Sequence, residues 1–167
     1  MGTSIHRSKA AKNLNIGIIT VSTSRTLKDD KSGLWIRKRA EKEGHTIVFH
    51  QVVTDAEDAI GTCLLDVIES LSPHALLITG GTGLSPKDVT IEAVRPYFKK
   101  ELTAFGPIFA QLSYEQIDSA AILSRATAGI IKQTTVFCMP GSLKAVQLAC
   151  RALIFPDLGH LIMHTKE

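Results

Sequence analysis

At 167 residues, with 44% hydrophobic and 21% charged side chains, the chain has the composition of one globular domain and not of a disordered segment. A net charge of +3, with lysines and arginines spread along the chain, and an aromatic share of 5% argue against a nucleic-acid surface. No apolar run approaches the length of a membrane span, and the 3 cysteines sit in apolar surroundings as reduced thiols would, so a soluble cytoplasmic protein is expected.

Residues 1–13 are polar and basic and read as a loose tail, leaving 14–167 as one domain. Asn15 to Val21 is almost continuously apolar and β-branched, which suits a strand buried on both faces. The hydroxyl-rich loop Ser22-Thr23-Ser24-Arg25 follows, then a charged helix to about Glu43, stopped by Gly44. His45 to Val53 alternates like a second strand and ends in Thr54-Asp55. From Asp58 the apolar positions Ile60, Leu64, Val67, Ile68 and Leu71 form one helical stripe, closed by Ser72-Pro73. His74 to Thr79 is a third strand. Between Arg95 and Asp118 the spacing suggests helical pieces broken near Gly106-Pro107. Ile122 to Arg125 and Thr134 to Met139 read as two more strands, with Gly129 and Lys132-Gln133 in their connection. Pro140-Gly141-Ser142 leads into a helix reaching about Leu153, and Pro156 opens a last short element.

Strands alternating with helices over short connections predict a three-layer α/β/α sandwich around a mostly parallel sheet, with a small antiparallel portion. Parallel strands place every strand-to-helix loop at one sheet edge, where ligands of such folds bind. Four polar loops fall there, so Asp55 and Asp88 are expected to approach each other although far apart in sequence.

The loop of greatest interest runs Thr79-Gly80-Gly81-Thr82-Gly83 and on through Lys87-Asp88-Val89-Thr90. Glycines so placed let backbone N–H groups approach an anion closely. The dinucleotide fingerprint is incomplete, because Pro86 stands at its third glycine, and no Gly-Lys-Ser/Thr of a Walker A loop occurs. A phosphate-bearing ligand is the functional reading; a structural turn is the bland one. Read alone, Asp88 and Asp55 could each be a helix cap, and Lys144 a solvated helix residue. His160 and His164 share a helical face but lack a third metal ligand, and Trp35 reads as packing.

The glycine loop with Glu92-Ala93 resembles the signature of the molybdenum cofactor biosynthesis MogA/MoaB family. So do Val21 to Arg25, Asp30 with Ser32-Gly33, Ser124-Arg125-Ala126 before Gly129, and Pro140-Gly141-Ser142 before Lys144-Ala145. The matches keep the family's order from about residue 14 to 160, and Phe105-Gly106 and Leu112-Ser113 look more like the MoaB branch. Ser142 stands where some members carry Asn, and Ile91 where Pro is usual.

The resemblance implies a molybdopterin adenylyltransferase: AMP passes from ATP to the terminal phosphate of molybdopterin and pyrophosphate leaves. It implies catalytic and Mg²⁺-binding roles for Asp55 and Asp88. It implies phosphate or pterin contacts for Ser22, Thr79, Gly80, Gly81, Thr82, Gly83, Ser124, Pro140, Gly141, Ser142 and Lys144. Lys87, Arg125 or Lys144 could offset the remaining negative charge. A homotrimer or dimer of trimers, and handover to the pathway's molybdate-insertion protein, belong to the same expectation; nucleic acid and membrane do not. Two other readings stay open: a catalytically silent MoaB-type molybdopterin-binding paralogue, and a generic nucleotide hydrolase.

Overall fold

Every position of Ile16 to Val21 is buried, so β1 (Asn15–Val21) is an interior strand of the sheet, as its unbroken apolar run requires. The computed structural model describes residues 13–166; the predicted tail lies outside it apart from Asn13. Five more strands follow: β2 (Thr46–Val53), β3 (Ala75–Thr79), β4 (Lys100–Glu101), β5 (Thr127–Ile131) and β6 (Thr134–Met139). They form one mixed sheet in the order β2-β1-β3-β6-β5-β4. β2, β1, β3 and β6 run parallel, whereas β5 is antiparallel to both β6 and β4.

Period-two alternation divides the core between the two faces. Ile16, Ile18, Leu77, Phe137 and Met139 point to one side. There they pack against α1 (Lys31–Lys42), α4 (Phe105–Ile117), α5 (Leu143–Ala149) and α6 (Leu158–Lys166). Ile19, Val21, Leu76, Ile78 and Cys138 point to the other, against α2 (Glu57–Leu71) and the short α3 (Thr90–Val94). The expected three layers are therefore present, with a six-stranded sheet between helices. Trp35 packs against the first cluster with the Arg151 guanidinium 5.3 Å above its ring, which is the packing role expected of it.

Three local expectations are corrected. Gly106-Pro107 does not break a helix but starts one: Pro107 falls in the first turn of α4, where a missing N–H leaves no bond unmade. Ile122 to Arg125 is not a strand. Asp118 to Leu123 is a 3-10 turn with Ile122 83% exposed, and an apolar run this short carries no period to tell the two apart. Gly129 lies inside β5 rather than in a connection, because the Phe98 ring packs where a side chain would stand, 2.4 Å from an added Cβ. The predicted last long helix holds as α5 to Ala149 and then widens into a π turn over Cys150–Ile154.

Candidate functional site

Because β2, β1, β3 and β6 are parallel, the loops leaving Val53, Val21, Thr79 and Met139 emerge at one edge of the sheet. Three of them enclose a cavity of about 250 Å³, lined by Ser22, Ser24 and Arg25, by Gly80 to Gly83 with Asp88, and by Pro140 and Gly141. That volume lies below the roughly 300–1,000 Å³ of sites that enclose a whole small molecule. It suits a phosphate chain whose remaining groups lie over the rim. A larger hollow of about 790 Å³ lies along β2 and α2, but its wall of Phe49, Val53, Cys63, Val67 and Leu71 offers no cation.

The glycine loop is held in one conformation from behind. Gly80 and Gly81 have φ of +96° and +63°, and an added Cβ would meet Val21 O and Thr90 Oγ1, each at 2.4 Å, so both positions demand glycine. The Gly80 carbonyl accepts from the Thr90 hydroxyl at 2.8 Å and the Gly81 carbonyl from the Thr90 N–H at 2.9 Å. Arg125 Nε donates to Thr82 O at 3.0 Å and Gly83 O at 3.1 Å, and Nη2 to Asp88 O at 3.2 Å. In a trans peptide the C=O and the next N–H point oppositely. Tying back the carbonyls of Gly80, Gly81 and Thr82 therefore turns the N–H groups of Gly81, Thr82 and Gly83 the other way. None of these three N–H groups has an acceptor among the described residues. The Gly80 N–H, by contrast, is taken by Met139 O at 3.0 Å. Three unshared, preorganised N–H groups at a cavity wall are what an anion nest requires.

Arg125 acts through this loop, with Glu92 as its counter-charge at 2.5 and 3.2 Å. That bond, ahead of the opposing effect of burial, holds Glu92 below the ordinary carboxylate range and raises Arg125. Arg125 is one of the three cations that could offset ligand charge; its guanidinium is committed to the scaffold.

Asp88 is half-buried, and its Oδ2 accepts from the Ser85 N–H at 2.9 Å. It caps no helix, since Val89 holds the N-cap position of α3. Asp55 is also half-buried and also not a cap, that place being taken by Ala56. Asp55 leaves the same sheet edge as the glycine loop, from β2, two strands away from β3. It is not among the cavity-lining residues. No group of three or more metal-ligating side chains occurs among the described residues. The donor set fits an ion that arrives with substrate phosphates, as Mg²⁺ does, and not a cage built by protein alone.

Ser22, Gly80 to Gly83, Asp88, Pro140 and Gly141 are thus brought together, and five other predicted residues are not in the wall. Thr79 is fully buried and donates through Oγ1 to Pro140 O at 3.0 Å, a support. Ser142 caps α5 by accepting from the Ala145 N–H, and Lys144 is exposed on that helix. Ser124 lines a neighbouring hollow with Arg125 and Pro107. Asp55 is the fifth.

The sequence reading missed the buried support below the cavity. Asp30, fully buried, caps α1 by accepting from the Gly33 N–H at 2.9 Å. Its Oδ2 also accepts from Thr20 Oγ1 at 2.5 Å and lies 3.1 Å from His50 Nε2. Burial pushes this carboxyl up, but the bonds from His50, Thr20 and Gly33 prevail and it titrates below its ordinary value. Two residues on, Ser32 Oγ donates to Gly141 O at 2.9 Å, joining this support to the cavity wall. Asp30 before Ser32-Gly33 was the only signal available in the sequence.

Residues 17–160 match a family model described as "Probable molybdopterin binding domain". The chain is 44% identical over 168 residues to the molybdenum cofactor biosynthesis protein B of Bacillus subtilis, covering 100% of this chain and 99% of that one. It is 36% identical over 173 residues to a Pyrococcus furiosus protein named molybdopterin adenylyltransferase, covering 100% of both. A crystal structure of a molybdenum cofactor biosynthesis protein B superposes with a TM-score of 0.90 at 39% identity, over 94% of this chain and 98% of that chain.

Proposed function

The chain belongs to the molybdopterin-binding-domain family of molybdenum cofactor biosynthesis, and we propose that it transfers AMP from ATP to the terminal phosphate of molybdopterin. The observation that carries this reading is the nest of Gly81, Thr82 and Gly83 N–H groups at a wall that also holds Asp88. The name of the Pyrococcus furiosus relative supports it.

In the proposed step an anionic oxygen of the molybdopterin monophosphate attacks the α-phosphorus of ATP. The P–O bond to the β-phosphate breaks, and its electron pair leaves with pyrophosphate. The nucleophile is already ionised, so no strong base is needed; the protein's task is to bring two anions together and offset their charge. The glycine-loop N–H groups do this from fixed positions, without reorganisation during reaction. Mg²⁺, when bound, supplies charge neutralisation between the phosphates. Asp88 in the cavity wall and Asp55 on the neighbouring loop are the residues that would hold it.

Assembly into a trimer or dimer of trimers, cytoplasmic location and handover to the molybdate-insertion protein are parts of the same reading. The exposed Tyr114, Ile117, Ile122 and Leu123 along α4 and the following turn give assembly an apolar surface.

The second reading, a paralogue that binds molybdopterin without turnover, is favoured by one observation: Asp55 stands outside the cavity wall. Pyrophosphate release from ATP with molybdopterin and Mg²⁺ separates them. Release that requires the pterin supports the transferase, and pterin binding without release supports the paralogue. ATP loss in the absence of pterin points to a hydrolase and rejects both.

A further inference from the structure

A phosphate chain in the cavity needs a cation as well as N–H donors, and the three cations named from sequence do not supply one. Arg125 is tied to Glu92 and to the carbonyls of Thr82, Gly83 and Asp88. Lys87 and Lys144 are exposed and form no part of the wall. Arg25 does: it is the one cationic side chain among the described lining residues, as Asp88 is the one acid.

The local chain aims it there. Ser22 Oγ accepts from the N–H groups of Ser24 at 3.3 Å and Arg25 at 3.2 Å, so the segment leaving β1 turns back over the strand ends. Arg25 Nη1 then reaches Gly141 O at 3.3 Å, beyond the usual range for such bonds and to a neutral acceptor. No carboxylate pairs with this guanidinium among the described residues, and its remaining N–H groups have no described acceptor. Gly141 O also accepts from Ser32 Oγ at 2.9 Å. Arg25 can therefore leave that carbonyl without releasing the loop.

On the reading that phosphate occupies this cavity, we propose that Arg25 binds the phosphate chain, closing an anion site whose other donors are the Gly81 to Gly83 N–H groups. Exchanging a neutral carbonyl for an anionic oxygen replaces one long hydrogen bond with bonds in which both partners are charged. The planar fork lets Arg25 hold two oxygens at once, which a lysine ammonium cannot do.

The test is titration calorimetry with inorganic pyrophosphate, free of divalent cations, on the wild type, Arg25→Ala, Arg25→Gln and Arg25→Lys, with thermal melts of each. Arg25→Ala should weaken pyrophosphate binding roughly 10- to 100-fold, with Arg25→Gln close to it and Arg25→Lys recovering part. Melting temperatures should match the wild type, because Arg25 is exposed. Unchanged affinity in Arg25→Ala, or a wild type that binds no pyrophosphate, overturns the proposal. Full recovery by Arg25→Lys overturns the two-oxygen grip. Binding that depends on Arg25 in a protein that adenylates no pterin keeps the assignment and rejects the transferase. Normal adenylation together with unchanged pyrophosphate affinity in Arg25→Ala does the reverse.

Discussion

Replacing Asp30 by alanine is the sharpest test of the buried support. The change strands three donors in a site with no access to water: Thr20 Oγ1, the Gly33 N–H and His50 Nε2, now bound at 2.5, 2.9 and 3.1 Å. Each orphaned buried group costs about 1–3 kcal/mol, and a lost N-cap about 1 kcal/mol. These overlap, so the expected total is less than their sum, about 3–5 kcal/mol. For a chain of this length that lowers Tm by roughly 6–20 °C. Asp30→Asn keeps an acceptor and the side-chain volume, and should fall between. The pH dependence follows from the lowered carboxyl. A folded-state value below the unfolded one contributes stability that is complete above the unfolded value, about 3.9. It is lost as pH falls through the folded value. Urea melts should therefore show a constant gap between wild type and Asp30→Asn from neutral pH to about 5, closing below about 4. A loss under about 1 kcal/mol in Asp30→Ala, or a gap that widens in acid, would refute this account of the pair.

Asp88→Asn should abolish most pyrophosphate release while leaving molybdopterin binding nearly intact; equal loss of both in paired turnover and binding assays would remove its metal role. Arg125→Ala should weaken pyrophosphate binding by more than tenfold, on the order of one lost preorganised anion site, while costing only about 1–2 kcal/mol in a denaturant melt, because its ion pair with Glu92 is half-exposed. A melt that collapses in step with binding would make Arg125 a general fold residue instead. Burial raises all three thiols, Cys150 up to about 12, and Asp66 adds to the effect at Cys63. Disulfide-exchange labelling of the native protein should accordingly reach half-buried Cys63 first and slowly, and Cys138 and Cys150 only on unfolding. Rapid modification of Cys150 in the native state would contradict its burial.

The parts of the fold that were legible are those where one property settles the matter. β1, β3 and β6 are runs of apolar residues bounded by Ser22, Gly80 and Pro140, and no helix period competes with them. Parallel order then forces the loops to one edge, so the glycine loop and Pro140-Gly141 could be placed together before any coordinates. His50 could not be found that way. Alternation marks β2 as a strand, yet its register with β1 slips at Val48: Ile16 pairs with Ile47, Gly17 with Phe49 and Ile18 with His50. A one-residue slip exchanges the faces of every later side chain, and it turns His50 inward toward Asp30. Nothing in the one-dimensional pattern announces it. Lys144 is placed by a different property: it follows the family-like turn, and the helix phase carries its side chain into solvent, as the bland reading of it expects.

The glycine loop makes the wider point about how a site of this kind is specified. Glycines alone give a chain the freedom to wrap an anion and equal freedom not to. What selects the wrapping form is the set of partners behind it: Thr90 for the carbonyls of Gly80 and Gly81, Arg125 for those of Thr82, Gly83 and Asp88, and Glu92 to keep Arg125 in place. All are ordinary polar residues, and none needs to touch a ligand. If catalysis depends on donors fixed before the substrate arrives, substitutions at Thr90 and Arg125 should depress turnover through disorder of the loop. Substitution at Asp88 should depress it through loss of charge. Hydrogen exchange of the Gly81 to Gly83 amides distinguishes the two classes: faster in Thr90→Val and Arg125→Ala, unchanged in Asp88→Asn apart from the Ser85 N–H that its carboxylate accepts.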